Sequence, residues 1–126
     1  MAGLSPTQTK NFKAEAAVPR RRIVKFGADE GSILVGAAAG DKIFGISSEI
    51  DAAIGERCDV HLAGLAEAVF GGAVGPGDFV TSDAEGRAIA AAPAAGANAN
   101  IIGQAMTGGV QGDIGVVHIV PGRVQG

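Results

Sequence analysis

His61 and His118 have the widest chemical repertoire of any residues in this chain, and they occupy matching places in a repeated phrase. IFGISSEIDAAIGERCDVHLAG (43–64) is echoed by IIGQAMTGGVQGDIGVVHIVPG (101–122). Ile43 and Gly45 recur 58 positions later as Ile101 and Gly103; Gly55, Glu56, Val60 and His61 recur 57 positions later as Gly112, Asp113, Val117 and His118. Imidazole suits zinc, nickel or copper, and two strands can present two rings together. A metal site also needs a third and a fourth ligand. Asp59 is the same-face neighbour of His61, but its counterpart beside His118 is Val116. No ligand set is complete, and no metal is expected. Two strand histidines duplicated with their surroundings, each hydrogen-bonded where it stands, account for the pattern.

The other reactive types are as sparse. Cys58 is the sole cysteine, which rules out an internal disulfide and a cysteine-based zinc cage. It reads as a small strand residue, with a reactive thiol as the alternative. GGAVGPG (71–77) lacks the Gly-Lys-Ser/Thr ending and the following helix of a phosphate cradle, and reads as a turn. There is no Gly-x-Ser-x-Gly elbow, and Ser47 and Ser48 have no histidine–acid pairing nearby in the sequence. Asp29, Glu30, Asp41, Asp78, Asp83 and Glu85 fall at turn positions, as a solvated rim would. No enzyme activity, catalytic residue or cofactor is expected.

Charge is unevenly placed. Residues 1–22 carry Lys10, Lys13, Arg20, Arg21 and Arg22 against Glu15, a net of +4; the rest carries five bases against twelve acids, a net of −7. An acidic body repels a phosphate backbone, so no direct nucleic-acid partner is expected. PRRR (19–22) reads either as a clamp whose guanidinium forks take partner carboxylates or as a solvated strand entry. Residues 1–21 are polar, hold Pro6 and Pro19 and lack clear periodicity. They read as an extended basic arm, in which KNFKAEAAV allows a turn or two of helix before Pro19. Loss of residues 1–19 together with replacement of Arg20, Arg21 and Arg22 by serine is expected to leave the fold intact. No stretch approaches the roughly 18 apolar residues of a membrane helix. The N-terminus lacks the apolar region of a signal peptide. Synthesis in the cytoplasm and no membrane partner are expected.

Positioning falls to short β-runs: RIVKF (22–26), SILVGA (32–37), KIFGI (42–46), CDVHLAG (58–64), DFVTS (78–82), RAIAA (87–91), IIGQAMT (101–107) and IGVVHIV (114–120). LAEAVF (65–70) fits a strand or a helical turn, and AAAPAAGANAN (90–100) reads as a long connection. DAEG (83–86) is a hairpin turn in which Gly86 supplies φ > 0. Gly40–Asp41, Gly55–Glu56, Gly77–Asp78 and Gly112–Asp113 form a refrain before strands. In it glycine supplies the turn and the acid is expected to bond the amides that follow. The class is all-β, a small barrel or sandwich over residues 22–122 with a short tail at 123–126. With 24 alanines and 21 glycines the core is thin. Either neighbouring copies complete it, or it is a tightly packed monomer.

The order of these motifs resembles that of the capsid decoration (cement) proteins of tailed bacteriophages, a family of small β-domains. The matching pieces are GDKIFGI (40–46), GERCDVHLAG (55–64), VGPGDFVTSDAEGRA (74–88) and IIGQAMTGGVQGDIGVVHIV (101–120). The long arm and PRRR are not part of the shared pattern. The resemblance implies a β-tulip-like barrel and a non-enzymatic virion protein on the outer capsid surface, made in the host cytoplasm. It implies a partner, the major capsid protein, and a homotrimer that braces contacts between capsid subunits with an N-terminal arm along the shell. Lys10, Phe12, Lys13, Arg20, Arg21 and Arg22 would be the arm's capsid-binding residues. A head-fibre or tail-associated β-domain is the alternative virion role. A small metal-binding or enzymatic barrel using His61 and His118 lies further off.

Overall fold

A computed structural model describes residues 5–126, with side chains from residue 8 onward. The described residues form nine strands and no helix: β1 (Ser5–Ala14), β2 (Ile23–Phe26), β3 (Ser32–Val35), β4 (Ile43–Ser47), β5 (Arg57–Val69), β6 (Phe79–Ser82), β7 (Ala88–Ala90), β8 (Asn98–Ala105) and β9 (Ile114–Gln125). The order β1-β3-β2-β4-β5 closes on itself because β1 also pairs with β5. The result is a five-stranded barrel. From the C-terminal half of β5 the sheet continues as β9-β8-β6-β7. A parallel bridge from Phe70 to Ala88 brings the end of that second sheet back to β5.

β5 serves both halves. Cys58 and Val60 point into the barrel with Phe12, Ala14, Val18, Val24 and Ile33. Ala66 and Ala68 point into a second core with Phe70, Val80, Ile102, Val117 and Ile119. Between them Gly64 takes φ +84°, a left-handed conformation that costs glycine little. β2 and β4 are buried on both faces. Val24 and Phe44 belong to the barrel side, while Ile23, Ile43 and Ile46 belong to the second core. The apolar interior is therefore two cores, separated by one layer of strands.

Four expectations are corrected. The predicted arm over 1–21, insofar as it lies within the described residues, is mostly β1, antiparallel to β5 from Ser5↔Leu65 to Lys13↔Arg57 and parallel to β3 at Lys13↔Ser32; Met1–Leu4 lie outside the described residues. Its alternation places Phe12 and Ala14 inside and Asn11 and Lys13 outside, so KNFKA is strand, not helix. Removing 1–19 would open the barrel and delete Phe12, Ala14 and Val18 from its core. The predicted tail at 123–126 is mostly β9, where Arg123, Val124 and Gln125 pair with Asn100, Ala99 and Asn98.

The duplication is structural. In the first copy Ile46 pairs with His61, and in the second Gln104 pairs with His118, the same register. A Cβ on Gly45 would lie 2.8 Å from the His61 carbonyl oxygen, and one on Gly103 would overlap the His118 carbonyl oxygen. The copies differ in filling. Cys58 faces Phe12 across the strands, whereas Gly115 leaves the room that the Phe70 ring occupies.

The Gly-acid refrain caps turns backwards rather than forwards. Asp78 Oδ2 accepts from Gly75 N at 2.9 Å, Asp113 Oδ2 from Val110 N at 2.9 Å, and Glu56 Oε1 from Ala53 N at 2.6 Å. In each turn the acid's own amide returns to the carbonyl three residues earlier, at 3.0–3.1 Å. Gly55, Gly77 and Gly112 hold φ between +83° and +91°, as a type II turn needs at its third position. Gly40 does not share that conformation, but Asp41 still bonds backwards, to the amides of Ala37 and Ala38. Burial pushes the Asp41 carboxyl up, and those amides with Lys25 more than offset it, leaving it below its ordinary value. Its contribution is present above the unfolded pKa and is lost as pH falls through the lowered folded value. Asp83 alone bonds forwards, to Glu85 N and Arg87 N, closing the DAEG hairpin at Gly86.

Gly103→Ala is expected to cost about 3 kcal/mol or more, or to prevent folding, because backbone must move. Gly122→Ala, whose Cβ would meet Ile101 at an ordinary 3.7 Å, is expected to stay within about 1 kcal/mol. Denaturant unfolding of the two variants checks the contrast, and equal losses would contradict the close approach of Gly103 to the His118 carbonyl.

Candidate functional site

The three arginines of PRRR are anchored within the chain. Arg21 sits at φ 57°, a left-handed conformation uncommon outside glycine. Its amide donates to the Ser48 carbonyl at 3.0 Å and its carbonyl accepts from Val69 N at 3.1 Å. Its Nε donates to Glu67 Oε1 at 2.9 Å, and Glu67 is only 3% exposed. Arg22 donates from Nη1 to the Glu85 carbonyl at 3.0 Å, and its amide donates to Ser47 Oγ. Arg20 is exposed and lies 4.0 Å from Asp51. The clamp reading is corrected for Arg21 and Arg22, whose side chains tie β2's entry to β5 and to the β6–β7 hairpin. Of the three, Arg20 keeps a solvent-facing charge.

The same correction applies to Phe12, which is buried in the barrel core and meets Phe44 edge-on, with ring centroids 5.2 Å apart. Phe44 in turn stacks on the exposed Phe26 at 4.1 Å. Lys10 lies over the Phe12 ring, with Nζ 5.4 Å from its centroid, and remains exposed, as does Lys13.

The histidines are not brought together. His61 lies opposite Thr9 and Ile46, and His118 opposite Leu65 and Gln104. Leu65 is four residues beyond His61 along β5. His61 is buried because β1 and the β4–β5 loop cover it. Its Nδ1 lies 2.9 Å from Thr9 Oγ1 and its Nε2 3.2 Å from Glu49 Oε2. No strand covers His118, which is exposed. Among the described residues no group of three or more His, Cys, Asp or Glu is placed to hold a metal ion. Cys58 is buried; that burial, reinforced by the Asp59 charge, pushes its thiol above its ordinary value and away from thiolate chemistry.

What the molecule does offer is surface. On the outer face of the second sheet, one row across four strands reads Leu65, His118, Gln104, Phe79. Along β9 the same face carries Ile114, Val116, His118 and Val120 by simple alternation. Phe79, Ile114 and Val120 are each about half exposed, at 49%, 54% and 53%. Beside them runs a groove of about 400 Å³ lined by Phe79, Ile101, Gln104, His118, Val120 and Arg123 among others, and Arg123 is its one permanent charge. A mostly apolar sheet face with a single permanent charge beside it suits contact with another protein surface. The β9 half of it was legible as IGVVHIV; Phe79 was not, since only the β6–β8 register brings it into the row.

Comparison with known proteins agrees on class. Residues 4–119 match the family model described as phage cement protein. The N-terminal base of the head fibre gp8.5 of bacteriophage phi29 is similar in structure, with a TM-score of 0.63 and 16% sequence identity, covering 90% of this chain and 93% of that one. At that identity the likeness is one of fold. No curated protein sequence matches the chain.

Glu67→Gln would leave the left-handed Arg21 an amide oxygen to donate to but no opposite charge. It is expected to cost about 2–3 kcal/mol, less than a fully buried pair because Arg21 reaches some water. Arg20→Ser, which removes an exposed pair, is expected to change stability by less than about 0.5 kcal/mol. Urea melts of both variants test this, and a Glu67→Gln loss as small as that of Arg20→Ser would show the pair to be solvated.

Proposed function

The chain belongs to the phage cement protein family, and on that premise we propose that it binds the outside of a phage head and braces contacts between major capsid protein subunits as a homotrimer. The match of residues 4–119 to the family model carries the reading. It is a structural protein of the phage head, not one built around a reaction, and the virion is its place.

The surfaces supply the physical support. A chain with net charge −3 meets copies of itself most cheaply where neither side carries charge. The face of Phe79, Gln104, His118 and Val120 is such a place, and we assign self-association to it. Three weak shell contacts engaged together then gain avidity that one copy lacks. Shell contact by the N-terminal segment rests on Lys10, Lys13 and Arg20, the exposed cations that β1 and the turn after it present. An arm lying along the shell would have to leave the barrel or be confined to residues that precede β1.

Light scattering of the purified protein, followed by co-sedimentation with expanded heads, tests both parts. The parent is expected to have the mass of three copies and to sediment with heads. The double variant Phe79→Asp, Val120→Asp is expected to be monomeric, equally stable to urea, and weakly bound. A monomeric parent would overturn the self-association assignment, and a parent that stays in the supernatant would overturn the cement reading.

A further inference from the structure

We propose that Lys13 and Arg57 together form a receptor for a single carboxylate on a segment of the shell protein; this rests on the cement reading above. Lys13 on β1 and Arg57 on β5 are directly opposite each other in the antiparallel register, and both are exposed. Residues so placed have Cβ atoms about 5 Å apart, and like charges there destabilise the pair. Other cations of the chain do find a carboxylate: Arg21 pairs with Glu67, Lys25 with Asp41, and Arg87 with Asp83 and Glu85. Among the described residues neither Lys13 nor Arg57 forms such an ion pair.

The nearby carboxylates are hydrogen-bonded to neutral donors and form no ion pair with either cation. Glu15 accepts from Ser32 Oγ and from Asp29 N, and these bonds, the serine's first, hold its carboxyl below its ordinary value, with Lys13 helping to lower it through space. Asp59 accepts from Asn11 Nδ2 at 3.3 Å. Asn11 turns its other end to Arg57, accepting from Nε through Oδ1. Asn11 therefore stands between Asp59 and Arg57 and holds the guanidinium on the face it shares with Lys13. Lys13 is itself fixed by its amide, which donates to the Gly31 carbonyl at 2.9 Å. Two cations are thus held together on rigid strands, neither in an ion pair with a carboxylate, an arrangement that binds a further carboxylate through charge-assisted hydrogen bonds.

The neighbouring groove narrows the choice of partner. A groove of about 650 Å³ begins at Lys13 and is lined by Ala14, Glu15, Asp29, Glu30 and Ile54, with Ile54 72% exposed. Its room fits a passing chain segment, and Ile54 offers an apolar rest beside the charge. Glu15, Asp29 and Glu30 repel a densely acidic segment or a polyphosphate. The ligand is one Asp or Glu next to an apolar side chain.

The test uses the full-length protein and expanded heads. Lys13→Gln, Arg57→Gln and the double variant are expected to melt at or above the parent temperature, because repulsion is relieved. Head affinity is expected to fall roughly tenfold or more in the double variant, along with most of its salt dependence. Lys13→Arg, which keeps the charge, is expected to stay within about threefold of the parent. A lower melting temperature for both single variants would overturn the repulsion on which the proposal stands. A parent that binds and a double variant that binds equally well would overturn the receptor alone. A parent that does not bind heads would instead overturn the cement reading.

Discussion

Closure of the barrel by β1 on β5 is the interaction on which the rest depends. β5 is 13 residues long and belongs to two cores at once. Its first half can be buried only if a strand covers the edge that β4 leaves open, and β1 is that strand. An open edge there would expose the backbone of Cys58, Val60 and His61 together with the aromatic packing of Phe12 on Phe44. With β1 in place, the left-handed Gly64 can pass β5 on to the second sheet, whose inner face then packs against Ile23, Ile43 and Ile46. Alanine and glycine suit this arrangement because two thin cores share the strands between them, and close backbone approach does what bulk does elsewhere.

The same closure decides what the charges do. An arm in solution would carry its cations freely. An arm that is a barrel strand leads into a turn where Arg21 and Arg22 are consumed in holding β2 to β5 and to the hairpin. It also sets Lys13 against Arg57, a juxtaposition that neither segment has alone. The surface is thereby divided. One end of the barrel carries Lys13 and Arg57 side by side near a groove rich in carboxylates, and the outer face of the second sheet carries apolar groups with little charge.

Most strands were legible in the sequence because their apolar residues alternate or run together between Gly-acid turns, and the duplication was legible because its register is written in Gly45, Gly103, His61 and His118. β1 was not. Its run from Gln8 to Ala14 buries only Phe12 and Ala14, so its pattern is too polar to mark a strand until β5 is placed beside it. The fate of Arg21 was hidden for a similar reason, since Glu67 within LAEAVF looks like a surface acid in a run readable as helix or strand. The two histidines looked alike in sequence yet differ in burial, because what covers His61 is β1 and Glu49 rather than anything in the repeat. Arg57 carried no local signal, because its partner across the sheet lies far away along the chain.

Native-state hydrogen exchange on the free protein tests the closure most directly. The amides of Lys13 and Ala14, bonded to the carbonyls of Gly31 and Glu56, should exchange as slowly as those in the middle of β5, opening only when the whole domain unfolds. Exchange of those two amides at the rate of an unstructured chain, with β5 still protected, would show that β1 is a free arm and would contradict the closed barrel.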